Sequence, residues 1–376
     1  MMQCMKKAHE RFALAAIPLA LLLVAAAPAA ELQVAVSNPP GVGNLVFVLF
    51  DSANSFGDFR DPVQAKVLTA ENGASHTFTG LPAGEYAVLV FSDLNGNRQL
   101  DKNFIGLPIE FIGLSNGYEP RGPPQFKRAS FVLEENDSAR LEVTLRRILG
   151  KHGTWGLGLG VIYQSSPYRG STEQVLQAIP SLTYVGNRLQ VTGPSLRYAL
   201  LGQGRYRLAA AARYRVGAYD ESDSPHLAGM GDRESTVMAG LSLVSELAGG
   251  FNLILGYEHD VLGNIGGGVA EAALRKTLQL GPVSVAPALR LNWLSAEVAN
   301  YDFGVSTKQA TSNRPVYAPG SSINPEVGVS VYSELGGHWI LQASFGVDFL
   351  DSGIQDSPIV DQGQRYHGYL SVFYLF

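Results

Sequence analysis

From Thr154 to Phe376, apolar residues alternate with small or polar ones in one segment after another. In "TWGLGLGVIYQ", Trp155, Leu157, Leu159, Val161 and Tyr163 share one face, and Gly156, Gly158 and Gly160 the other. "GHWILQASFGVDFL" sets Trp339, Leu341, Phe345 and Phe349 against His338, Gln342, Ser344 and Asp348. "PVSVAPALRLNWL" sets Val283, Val285, Leu289, Leu291 and Trp293 against Ser284, Arg290 and Asn292. "GRYRLAAAARYRV" opposes Tyr206, Leu208 and Tyr214 to Arg205, Arg207, Arg213 and Arg215. Side chains along a strand point alternately to its two faces. Each segment has about the 9 to 11 residues that carry a tilted strand across a bilayer, with aromatics toward its ends. One such strand would mean little, but their repetition predicts a transmembrane β-barrel.

The connections supply a second test, because one end of such a barrel carries short turns and the other longer loops. Short ones fall at Gly186-Asn187, Gly202 to Gly204, Ala248 to Gly250, Gly281-Pro282 and Gly336-Gly337. Longer ones run from Ser165 to Val175, Ala218 to Glu234, Gly263 to Gly267, Ala296 to Ile323 and Asp351 to Arg365. The segment Arg188 to Leu201 breaks this alternation if it is one strand. Two short strands bent at Gly193-Pro194 restore parity and give about twelve strands, an even number as barrels of this kind require.

Before the barrel, residues 31–147 read as short strands between Gly, Pro and Asn turns: "LQVAV", "NLVFVLF", "SHTFTGL", "EYAVLVFS", "FKRASFVL" and "ARLEVTLR". Helical periodicity is absent, so a small antiparallel β-sandwich is expected, with Val46, Val48, Tyr86, Val88 and Val90 pointing inward. Residues 148–153 read as the linker. The expected fold is therefore all-β: an immunoglobulin- or transthyretin-like sandwich at residues 31–147, then an antiparallel transmembrane barrel at 154–376.

The chain opens with a basic stretch (Lys6, Lys7, Arg11), an apolar run from Phe12 to Val24 and the small-residue site Ala27-Pro28-Ala29. This is the pattern of a secretory signal peptide, expected over residues 1–30. The alternative, a membrane anchor, suffers from an apolar run short for a spanning helix. The one cysteine, Cys4, falls inside that segment, so no disulfide or thiolate site is expected afterwards. Charged residues are 16% of the chain, below the roughly 25% of ordinary soluble proteins. A net charge of −5 gives no hint of nucleic-acid binding.

Chemistry-bearing motifs are few. There is no G-x-S-x-G, H-E-x-x-H or P-loop motif, and the histidines are not paired at metal-ligand spacing, so an enzyme is not expected. "FSDLNGNRQLDKN" places Asp93, Asn95, Asn97 and Asp101 at positions one, three, five and nine of a calcium-like loop. Gly96 stands at position four rather than six and Phe104 at position twelve, which excludes an EF-hand. A looser calcium site and an Asx-rich turn capping its own backbone both remain open. On the barrel, Arg197, Arg205, Arg207, Arg213, Arg215 and Arg290, with Glu258, Glu326 and Asp348, project from inward faces. Facing one another across the lumen they would form a field selecting polar solutes. Pairing along the wall would instead help to fill it. Acidic side chains of the long loops, such as Asp220 and Asp223, read as solvated.

The strand ending "GYLSVFYLF" alternates Leu370, Val372, Tyr374 and Phe376, and resembles the C-terminal assembly signature of bacterial outer-membrane barrels. Stretches such as "YQSSPYRGS", "IPSLTYVGNRLQVTG", "LAGMGDRES" and "DSPIVDQGQRYHGYLSVFYLF" resemble the MltA-interacting protein MipA/OmpV family. That resemblance implies an outer-membrane protein of a Gram-negative bacterium. It also implies lipid contact, and roles in scaffolding peptidoglycan-remodelling enzymes or as a porin-like channel for small polar solutes. "GLPAGEYAVLVFSDLNGNRQLDKNFIGLPIEFIGLSNG" resembles the secreted domain DUF2141, which brings no established activity. Joined to a barrel, it is expected in the periplasm as an interaction module, with the Asp93–Asp101 loop as its hallmark.

Overall fold

The computed structural model describes residues 29–376 apart from Gly73 and residues 172–173. The expected signal peptide lies outside the described residues except for its last two. Eight strands build the N-terminal unit: β1 (Ala30–Val36), β2 (Asn44–Phe50), β3 (Gln64–Thr69), β4 (Ser75–Leu81), β5 (Gly84–Asp93), β6 (Ile112–Leu114), β7 (Phe131–Leu133) and β8 (Ser138–Val143). One sheet runs β4-β1-β8, with β1 and β8 parallel. The other runs β3-β2-β5-β6, with β7 also paired to β5.

The near-continuous apolar runs of β2 and β5 have a direct cause: both strands are buried on both faces. Leu45, Phe47 and Leu49, with Tyr86, Val88 and Val90, join Leu32, Val34 and Phe78 in the core between the sheets. Val46, Val48, Ala87, Leu89 and Phe91 face the opposite way, into a second core with Phe56 and Phe126. The five residues expected to share one inward face are all buried, but they divide between these two cores. "FKRASFVL" is also not one strand: Phe126–Ala129 is a helical turn that lays Phe126 into the second core, and only Phe131–Leu133 is extended.

The barrel comprises β9 (Thr154–Ser165), β10 (Gln174–Val185), β11 (Leu189–Thr192), β12 (Ser195–Leu201), β13 (Tyr206–Arg215), β14 (Thr236–Glu246) and β15 (Phe251–Asp260). It continues through β16 (Gly268–Lys276), β17 (Leu278–Leu280), β18 (Val283–Leu294), β19 (Ser322–Gly336), β20 (Trp339–Phe349) and β21 (Gln364–Leu375). Each strand pairs antiparallel with its chain neighbour, and β21 pairs back on β9 to close the cylinder. β16 and β17 meet β18 in the same register, Arg275 opposite Ala288 and Leu278 opposite Val285, so they are one strand interrupted at Thr277. The barrel therefore has twelve strands. The bend at Gly193-Pro194 is the tip of a low hairpin, β11 and β12. Above Leu182 the second edge of β10 has no strand partner among the described residues.

Leu157, Leu159, Trp339 and Phe345 stand exposed on the outer wall, the apolar band that lipid requires. Inside, glycines let strands approach. A Cβ at Gly158 would overlap the Val372 carbonyl and crowd Phe373 at the closing seam. Gly158→Val is expected to destabilise the barrel by about 1–3 kcal/mol, the usual cost of overpacking, read as a lower urea-unfolding midpoint in detergent. An unchanged midpoint would show that the seam tolerates the added bulk.

Candidate functional site

The two ends of the barrel are both covered. At the long-loop end, Tyr168, Tyr219, Leu227, Met230, Phe303 and Ile354 belong to one apolar cluster drawn from four loops. Tyr168 donates to the Asp302 carbonyl at 3.3 Å and Ser357 to the Phe303 carbonyl at 2.6 Å. The loops thus form a folded cap with its own small core. The sequence signal for it, scattered aromatics within polar loops, has no periodicity to reveal it.

At the short-turn end sits the sandwich, and it touches all five turns. Asn103 donates to the Gly186 carbonyl at 3.1 Å, and the Lys102 amide to the Gln203 carbonyl at 2.7 Å. Arg60 donates to the Leu247 carbonyl at 2.8 Å, and Gln125 to the Pro282 carbonyl at 3.4 Å. Arg121 donates to the Gly337 carbonyl and Arg128 pairs with Glu334, while the Tyr332 hydroxyl donates to the Arg121 carbonyl at 2.6 Å. Phe104 goes furthest: 5% exposed, it packs in the lumen against Ala209 and Val244. Lys102 follows it to Glu246, 3.5 Å away, and burial holds its ammonium below the usual lysine range.

The calcium-like loop therefore leads directly into the plug. Asp93, Asn95, Asn97 and Asp101 do converge. Asp93 accepts from the Asn97 and Arg98 amides, each at 3.1 Å. Asp101 accepts from the side-chain amides of Asn95 at 2.7 Å and Asn97 at 2.9 Å. These are the bonds of an Asx-rich turn. Among the described residues, no group of three or more His, Cys, Asp or Glu side chains is placed to hold a metal ion. Glu110, which the spacing does not reveal, joins the loop by accepting from the Asp101 amide at 3.0 Å.

In the lumen, Arg207 pairs with Glu246 at 2.6 Å, Arg213 with Glu258, and Arg290 with Glu326. Asp348 pairs with Arg365 at 2.8 Å, and Arg215 reaches Asp302 on the loop helix Ala296–Phe303. Wall pairs thus replace the charge field across the lumen that opposed faces would have made. Arg205 is a correction: it lies just before β13, exposed at the rim, and donates to the Glu246 carbonyl at 3.2 Å. Arg197 has no carboxylate partner among the described residues and lies over the Phe104 ring at 6.0 Å. Arg275, Arg365 and His367 also face inward, and period-two alternation along their strands could have found them. Leu370, Val372 and Tyr374 lie on β21, the closing strand, and the Phe376 amide donates to the Trp155 carbonyl at 2.8 Å.

The MltA-interacting protein MipA family model matches residues 157–376, which is the whole barrel but for the start of β9. The chain belongs to the MipA family. A second model, for an uncharacterized protein conserved in bacteria (DUF2141), matches residues 35–140. The MltA-interacting protein of Escherichia coli is 28% identical over 213 residues, 56% of this chain and 85% of its own length. YiaT of Escherichia coli is 29% identical over 56% of this chain and 86% of its own length. The outer membrane protein OmpV of Vibrio cholerae is 24% identical over 64% of this chain and 94% of its own. The CymD monoaromatic hydrocarbon channel aligns at 11% identity and a TM-score of 0.29, a likeness too slight to bear on function.

Burial, with the Asp101 and Asp93 carboxylates adding to it, pushes the Glu110 carboxyl up to about 7 from its ordinary 4.5. The folded state holds this proton more tightly than the unfolded chain. Its stabilising contribution is therefore present below pH 4.5 and lost as pH rises through about 7. Glu110→Gln is expected to raise the melting temperature at pH 8 relative to the parent and to leave it nearly unchanged at pH 5. Equal effects at both pH values would reject the shift.

Proposed function

We propose that this protein is an outer-membrane anchor that holds its sandwich in a fixed pose on the periplasmic side, as the docking surface for a peptidoglycan-remodelling enzyme. What carries the reading is the seating of the sandwich on all five short turns, with Phe104 in the lumen. A relative is named for its interaction with MltA. In this chain the short turns that a periplasmic partner would meet lie beneath the sandwich, so the partner must meet the sandwich. The test is in-cell crosslinking followed by capture of the full chain, compared with a chain lacking residues 31–147. A cell-wall enzyme recovered with the full chain and lost with the shortened one is the expected result. The same enzyme captured by the barrel alone, or none at all, would reject the reading.

A second reading, a channel for small polar solutes, is favoured by the polar lumen that Phe104 and Lys102 stopper. The intact chain is expected to show little conductance in planar bilayers, and Phe104→Ala with Lys102→Ala to open it. Silence in both would exclude conduction through the lumen.

Calcium at Asp93, Asn95, Asn97 and Asp101 is a separate proposal, supported by the convergence of these four side chains within one loop. Saturable stabilisation of the full chain by calcium at pH 8 is the expected outcome. An unshifted melting curve at millimolar calcium would leave the loop an Asx turn.

A further inference from the structure

Most lumen charges are paired along the wall, but two guanidinium groups are not. Arg197 on β12 has the Phe104 ring beneath it and no carboxylate within ion-pair distance among the described residues. Arg275 on β16 is the other: its Nε has no hydrogen-bond partner among the described residues, and it lies four strands along the ladder from Arg197. Arg207 and Arg290 are already committed to Glu246 and Glu326. A guanidinium held in a barrel wall with no carboxylate beside it is costly unless an anion joins it.

The neutral groups beside Arg197 point the same way. Gln190 is its direct cross-strand neighbour on β11, and is 4% exposed with its side-chain Nε2 unpartnered. Thr183, on the adjoining stretch of β10, is also buried, and its hydroxyl has no partner among the described residues. A guanidinium fork, an amide N–H and a hydroxyl form a donor set, and donor sets of this kind bind oxyanions.

We propose that the lumen holds an oxyanion, a carboxylate or phosphate group, on Arg197 at the foot of the β11–β12 hairpin, with Gln190 and Thr183 as neutral donors. Phe104 of the plug forms the apolar floor of this site. Phosphate chemistry could reach it from two sources. One is a small solute from the water on either side of the membrane. The other is a lipid headgroup entering above the low hairpin, where the edge of β10 has no strand partner. The site stands independently of the docking role proposed above.

The test refolds the full chain from urea into neutral detergent. Calorimetric titrations then use inorganic phosphate, succinate or micelles carrying phosphatidylglycerol. Saturable binding is expected in at least one titration: phosphate or succinate alone marks a solute site, and the lipid alone marks lateral entry. Arg197→Gln is expected to weaken that binding on the order of tenfold, the loss of a charge-assisted fork. Arg205→Gln, at the exposed rim, should leave it unchanged. If Arg197→Gln does not refold, Arg197→Lys decides, since it keeps the charge but loses the fork and should still weaken binding measurably. No saturable binding in any titration, equal weakening by Arg205→Gln, or full affinity in the Arg197 variants would each overturn the proposal.

Discussion

Inside a bilayer no water competes for backbone hydrogen bonds, so every N–H and C=O at membrane depth must find a partner within the protein. The pairing of β21 with β9 meets most of that demand by joining the ends of the barrel sequence, and the upper edge of β10 is left without a strand partner among the described residues. The rest of the molecule follows from this closure. It fixes a lumen whose walls carry alternate residues of each strand, and it sorts the connections into a short-turn end and a long-loop end. The glycine face of β9 serves the seam, where larger side chains would collide with Val372 and Phe373.

Closure alone would leave an open tube, and the structure fills both of its mouths by different means. At one end, loop side chains such as Tyr219, Met230 and Phe303 collapse into a cap. At the other, a second domain supplies hydrogen bonds to the carbonyls of turns that would otherwise face water, and one aromatic ring crosses into the lumen. The Asx-rich loop before Phe104 stiffens the segment that carries this ring. Its four side chains fold the chain back on itself, so Phe104 can enter the barrel with little further loss of freedom.

Buried charge explains the lumen. Each wall pair, such as Arg290 with Glu326 or Arg365 with Asp348, offsets the cost of placing a guanidinium away from bulk water. The pairs of Arg207, Arg290 and Arg365 hold because their partners sit on neighbouring strands, where the register is fixed by the ladder, while Arg213 reaches Glu258 across β14. Arg197 breaks the rule because its strand belongs to the short hairpin, whose facing residue is Gln190 rather than a carboxylate. At Arg197 the missing partner and the low wall thus share one origin.

Period-two alternation, turn chemistry and the Gly193-Pro194 break determined the twelve-strand barrel, because the side chains of a strand must choose between lipid and lumen. The same alternation placed Arg207, Arg213, Arg290, Glu258 and Asp348 inside, since parity needs no knowledge of neighbours. It misassigned Arg205, which lies one residue beyond the strand that its periodicity extended. It also could not divide the buried residues of β2 and β5 between two cores, because a strand covered on both faces shows no alternation. Only the tertiary structure decided which charges pair, that the long loops fold into a cap, and that the sandwich seats Phe104 in the barrel. Those contacts join residues far apart in sequence, and they depend on the distances and shapes that the folded barrel and sandwich present to each other.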